Sequence, residues 1–243
     1  MYGYKIHPIG LSKGIRDMSQ WTYRWNIGIK VETVCYTWYI EGSDTKILVD
    51  TGAQEENFTN PEFPMKNVIS LEDGLSLFGI TPTDIDIVIL THLHFDHVAL
   101  AYKFKKAKFI VQKREIDFVK NPHPFLIMDY NYEYFKDLKF YIVDGDKEIV
   151  PGIKVLLTPG HTCGGQSVQI ETTKGRAIIA GLCSQISTFT QTNLMKEKGL
   201  EVAVCGIHTN VAEAYNSALK IKQSADIIIP LHEPSFIKIN ELP

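Results

Sequence analysis

The stretch that decides the fold is Thr91-His92-Leu93-His94-Phe95-Asp96-His97-Val98, set directly after the apolar run Ile85 to Leu90. Three imidazoles and a carboxylate so close together make a donor set for a divalent ion, since neutral imidazole and carboxylate are among the ligands such ions take. In an extended segment, residues two apart share a face, so His92, His94 and Asp96 are expected to converge while His97 points elsewhere. One short loop would then serve two ions.

Outward from this stretch the chain alternates helix and strand signals. Ser70 to Phe78, followed by Gly79, reads as a short helix, and Ile85 to Leu90 as a strand buried on both faces. Upstream, the alternation in Val31 to Ile40 predicts a strand, and the turn Glu41 to Asp44 leads into a second one, Lys46 to Val49. Downstream come a strand at Lys108 to Val111 and a helix at Lys113 to Lys120, stopped by Asn121-Pro122-His123-Pro124. An aromatic segment, Phe125 to Phe140, reads as a cap or wall beside the site. Strands are expected at Phe140 to Val143, Ile153 to Leu157, Ser167 to Ile170, Ala177 to Ala180 and Asp226 to Pro230. Before the last of these, Val211, Ala214, Tyr215, Ala218 and Leu219 keep helical spacing behind a plausible cap, Asn210.

At 243 residues with 44% hydrophobic content the chain can bury a sizeable core, and no linker divides it, so one domain over residues 1–243 is expected. Twenty-five basic against 28 acidic residues give a formal charge of −3, and only Lys103 to Lys108 is locally basic. That argues against a nucleic-acid partner. No apolar run reaches the ~18 residues of a membrane span, and Met1 to Gly10 lacks a leader pattern, so a cytoplasmic protein with no membrane partner is expected. Cys35, Cys163, Cys183 and Cys205 lie far apart, which suits a reducing compartment.

Two further histidines share the address of the first group. His161, in Thr158-Pro159-Gly160-His161, follows the strand Ile153 to Leu157, and His232 follows the strand ending at Pro230. Ligands carried on loops at strand ends are what a single active-site edge produces.

Taken together, Ile47-Leu-Val-Asp-Thr-Gly52, Thr91 to His97, Thr158 to Gln166 and Pro230-Leu-His232 resemble the metallo-β-lactamase superfamily in order and spacing, and within it the N-acyl-homoserine lactonases. The resemblance spans nearly the whole chain, including Val111 to Glu115 and Asp144 to Gly152. It implies a four-layer α/β/β/α sandwich, two mixed sheets face to face with helices outside. It also implies that His92, His94 and His161 hold a first ion while Asp96, His97 and His232 hold a second. Asp50 would support the ligand loop, or else simply cap the turn before Thr51-Gly52.

The chain departs from that family after the strand Ala177 to Ala180, where dinuclear members carry a bridging aspartate. Here Gly181 or Leu182 takes that position, and neither coordinates. Cys183, just downstream, is a potential thiolate ligand that restores the missing negative charge. A site bridged by hydroxide alone and a single-metal site are the alternatives. Nor does a tyrosine stand at Ser184, Gln185 or Ile186, where such lactonases place an aromatic hydroxyl. Tyr130, Tyr132 or Tyr134 would have to approach from the cap segment. His208, just before the last helix, is a possible substrate contact or proton donor, or a histidine satisfied by the backbone.

The expected function is metal-dependent hydrolysis: a metal-bound hydroxide attacks a polarised carbonyl, opening a lactone, with Asp96 shuttling the proton. Zinc is the expected metal, as one or two ions, with iron, manganese or cobalt as alternatives. Other carbonyl substrates (thioester, amide or cyclic imide), a phosphodiester, and a non-catalytic metal-binding relative are the competing readings.

Overall fold

The structure is a computed structural model that describes residues 3–243. Two mixed sheets lie face to face with helices on their outer surfaces. The first sheet contains β1 (Lys5–Asp17), β2 (Lys30–Glu41), β3 (Ile47–Val49) and β4 (Met65–Asn67). After helix α1 (Leu71–Ser76) come β5 (Ile87–Ile89), α2 (Phe95–Val98), β6 (Lys108–Gln112), α3 (Lys113–Lys120) and β7 (Phe140–Val143). Its order is β4-β1-β2-β3-β5-β6-β7, antiparallel as far as β3 and parallel beyond it.

The second sheet is built from β8 (Lys147–Val150), β9 (Ile153–Leu157), β10 (Gln166–Thr172) and β11 (Gly175–Ala180). Helices α4 (Ile186–Phe189), α5 (Asn193–Glu197) and α6 (Val211–Ser224) precede its edge strand β12 (Ile227–Pro230), which runs parallel to β11. The order is β12-β11-β10-β9-β8.

Period-two side-chain alternation explains the layering. In β2, Val34, Tyr36, Trp38 and Ile40 enter the core between the sheets, where they meet Val155, Val168 and Ile179 of the second sheet. Tyr39 of the same strand faces outward into a cluster with Leu71, Leu75 and Phe104. In β11, Ala177 and Ile179 point inward while Ile178 and Ala180 pack with Ala218 and Ile221 of α6. Strands buried on both faces read as continuous apolar runs because helices cover their outer sides.

Where the reading of the sequence fell short, local chemistry accounts for it. The longest strand, β1, was not anticipated: Pro8, Gly10 and Gly14 weaken its strand signal, and its register shifts between Gly10 and Ser12. The segment after β5 is extended only as far as His94, since α2 starts at Phe95. No helix among the described residues is long and apolar enough to cross a membrane.

Candidate metal centre

The ligand loop leaves β5 at Leu90, and Asp50 fixes it. Asp50 sits at φ 55, a left-handed conformation that suits aspartate better than most side chains, in the turn after β3. Its Oδ1 accepts the Thr91 N–H at 2.7 Å, and its Oδ2 accepts the Thr91 hydroxyl at 2.8 Å. The same Oδ2 lies 2.8 Å from His97 Nδ1. The carboxylate therefore organises the loop and orients an imidazole, and it is fully buried.

Two groups of ligand atoms result. Within each, the atoms of His92, His94 and His161, and those of Asp96, His97 and His232, lie within 4.8 Å of one another. This corrects the expectation that His92, His94 and Asp96 share a face. The turn into α2 carries Asp96 and His97 away together, toward His232.

Hydrogen bonding at the far nitrogens shows what these rings can hold. His161 Nδ1 donates to the Ile207 carbonyl at 2.7 Å, which leaves the Nε2 lone pair free. The Thr91 hydroxyl gives its proton to Asp50, so it accepts from His92 Nδ1 at 3.0 Å, and His92 Nε2 is likewise a bare lone pair. These two Nε2 atoms face each other at 3.2 Å. Two lone pairs so placed repel unless a cation lies between them, and tetrahedral zinc with ~2.0–2.1 Å bonds to nitrogen sets ligand nitrogens about 3.3 Å apart. In the second group His97, its Nδ1 on Asp50, turns Nε2 to Asp96 Oδ2 at 3.4 Å, and His232 Nε2 lies 3.9 Å from the same oxygen. His232 Nδ1 is held by the Val34 carbonyl at 3.2 Å. The residues fit a divalent ion at each group.

Electrostatics agree with this geometry. Burial, followed by the neighbouring imidazoles, pushes His92 and His94 well below the ordinary histidine range, and burial brings His161 and His232 down to about 4. These four rings are neutral donors at physiological pH. Burial opposes the charge on His97, yet Asp96 and Asp50 raise it to about 10, so this point favours positive charge. Burial likewise opposes ionisation of Asp96, but His97, His232 and His94 hold its carboxyl well below the usual range.

Other predicted residues fall elsewhere. Cys183 lines the cavity above the ligands but belongs to neither group, and its Sγ lies 3.8 Å from the Gln20 carbonyl oxygen. Burial pushes its thiol up, against the thiolate a ligand requires. His208 is not brought to the cavity: its Nδ1 bonds the Cys205 carbonyl at 2.7 Å and its ring packs edge-on to Tyr23. Its Nδ1 is satisfied by the backbone, and the residue stands outside the cavity lining. A bridging aspartate has no room in this backbone, since a Cβ on Gly181 would stand 1.7 Å from the Gln166 carbonyl oxygen. Leu182 is buried under α6.

Two positioning residues were not singled out from sequence for the parts they play. Buried Glu115, in the first turn of α3, accepts from Leu93 N at 3.1 Å, Gly164 N at 2.9 Å and the Tyr130 hydroxyl at 3.0 Å, so it ties both ligand loops to the cap segment. Gln166 donates to the Leu90 and Ile110 carbonyls at 2.7 and 3.2 Å. Their sequence signal was to close two of the stretches that carry the family resemblance, Val111 to Glu115 and Thr158 to Gln166.

The ligands open into a cavity of about 460 Å³. Phe58, Phe63, Met65, Phe95, Met128, Tyr130 and Tyr134 supply much of its wall. Tyr132, by contrast, is 62% exposed and does not line it.

Two facing mixed sheets with two histidine-rich ligand groups at a shared strand-end edge define a class of metal-binding α/β sandwich. The sequence pattern of the metallo-beta-lactamase superfamily matches residues 31–232, and the chain belongs to that superfamily. An N-acyl homoserine lactonase of Bacillus cereus is 33% identical over 162 residues, which span 60% of this chain and 60% of that protein. The crystal structure of a quorum-quenching N-acyl homoserine lactone lactonase, 26% identical, superimposes with a TM-score of 0.77 over 98% of this chain and 95% of that one. AidC, a dizinc quorum-quenching lactonase, shares the fold at 17% identity, with a TM-score of 0.72 over 99% and 90% of the two chains.

Proposed function

We propose that this chain, as one domain, is a metal-dependent hydrolase that opens a lactone ring, with N-acyl-homoserine lactones as the leading substrates and quorum quenching as the consequence. The observation that carries the reading is the pair of Nε2 lone pairs facing each other at 3.2 Å, one on buried His92 and one on His161, which lines an aromatic-walled cavity. Its likeness to the B. cereus enzyme supports the substrate class.

In this assignment His92, His94 and His161 hold one ion and Asp96, His97 and His232 the other, with zinc favoured by the neutral imidazoles. Such an ion supplies Lewis acidity and activates water near neutral pH. Around it the protein does the rest. Asp50 keeps His97 Nδ1 protonated so that Nε2 stays available to the ion. Asp96, partly accessible from the cavity, is placed to carry a proton toward the leaving oxygen. The aromatic wall holds an acyl arm and excludes water. The free cysteines suit the cytoplasm, where we place the protein.

The test is turnover by metal-analysed protein on a panel of lactones, a thioester, an amide, a cyclic imide and a phosphodiester. Lactone opening that disappears with chelation and in His161→Ala is the expected result. Turnover of another carbonyl class with inert lactones would remove the lactone assignment, and bound metal with no turnover at all would leave a binding protein.

A further inference from the structure

One charge in the cavity is left uncompensated. Arg16, near the end of β1, is the only lysine or arginine among the described residues that line the cavity. Among the described residues it makes no ion pair. Its guanidinium is held by backbone carbonyls instead: Nη1 donates to Ile15 at 2.9 Å and Pro64 at 3.3 Å, and Nη2 to Phe63 at 2.9 Å. It also lies over the Phe63 ring, 5.2 Å from its centroid. Three of the five N–H groups of the fork are thereby used and the side chain is fixed in place, leaving donors for a ligand.

Burial pulls the pKa of this group down, and the anion whose field reaches it is Asp96. In the assignment above, the charge of Asp96 is spent on a metal ion. Asp129, the other acidic residue lining the cavity, forms no ion pair with the arginine. A half-buried guanidinium without a counter-ion, mounted on an aromatic wall, matches a ligand that is apolar along its length and carries an anionic oxygen group.

We infer that Arg16 is a specificity-determining residue that receives a carboxylate on the acyl arm of the substrate, so that the preferred lactones are those with an acid-bearing arm. This rests on the lactone reading. Planar guanidinium suits a carboxylate because two parallel N–H···O bonds form at once.

The experiment compares two N-acyl-homoserine lactones of equal arm length, one ending in methyl and one in carboxylate, on the metal-loaded wild type, Arg16→Gln and Arg16→Lys. Arg16→Gln should raise KM for the carboxylate arm about tenfold with little change in kcat, and leave the methyl arm nearly unaffected. Arg16→Lys, which keeps charge but loses the fork, should fall between, and it carries the test if thermal melting shows Arg16→Gln unfolded. Equal effects on both arms, or none on either, overturn the inference.

If wild type opens no lactone, the functional reading has failed, and adipate titrated into wild type and the variants tests the arginine by itself. Binding weakened in Arg16→Gln, or in Arg16→Lys where the first variant is unfolded, keeps the carboxylate subsite. Unchanged or absent binding ends it.

Discussion

Asp50 reaches the metal centre only through other residues, yet three hydrogen bonds converge on it. Carboxylates that orient a ligating imidazole typically contribute about 10- to 100-fold in metal affinity or activity. Asp50→Asn should therefore lose metal from the Asp96, His97 and His232 group first, seen as a drop toward one ion per chain by elemental analysis and a fall in kcat. Sequence left the role of this residue open between loop support and turn capping. The hydrogen bonds its carboxylate makes, to Thr91 and His97, are those of loop support, and the left-handed turn is what aims it there. Gly181 teaches the reverse lesson. Restoring a bridging carboxylate by Gly181→Asp should lower the melting temperature without adding activity, since its first side-chain atom would collide with the Gln166 carbonyl. No single sequence exposes such a contact, because Gln166 opens β10 and Gly181 follows β11, and they meet only when the two strands pair.

Elements were legible where their signals are local. α3 spans Lys113–Lys120 and β9 spans Ile153–Leu157, as periodicity and proline placement indicated. Asn210 caps α6 by accepting from the Ala212 and Glu213 backbone N–H groups at 3.0 and 3.1 Å. The same N-terminus grips the His161 loop, for the Thr209 and Asn210 N–H groups both donate to the Gly160 carbonyl. Asn210→Ala is expected to cost about 1 kcal/mol in denaturant unfolding and to loosen the His161 loop, so metal exchange should quicken along with it. Elements set by distant partners stayed hidden. β1 owes its length to twelve aligned partners in β2 rather than to its own composition, and α2 turns where Asp50 and the His97 carbonyl draw the loop in.

Over the whole molecule, the proposed ion sites join halves that are otherwise packed face to face. His92 and His94 come from the loop after β5 of the first sheet and Asp96 and His97 from α2 behind it, whereas His161 and His232 follow β9 and β12 of the second. Metal held at this shared edge would act as a clasp between layers. Ligand at a hundred times its dissociation constant stabilises by about 2.7 kcal/mol per site, so chelation should lower the thermal midpoint in a single transition. Two separate transitions, one per sheet, would contradict this coupling. The general plan of the sandwich and its edge were readable from motif order. The empty bridge position, the buried Glu115 ties and the lone guanidinium in the cavity became visible only once the backbone was folded.

Ile6 bonds to Leu242 in both directions, with backbone N···O distances of 3.1 and 2.7 Å. That junction lies at the start of β1, while Arg16, which lines the cavity, lies near its other end, some ten residues and roughly 33 Å away. Both ends of the described chain therefore lie together, at the end of β1 away from Arg16. Protein tethered to a bead through either end should keep the Arg16 side of the cavity facing the solution, and a permutant rejoined there and cut at the exposed turn near Ser43 should still fold.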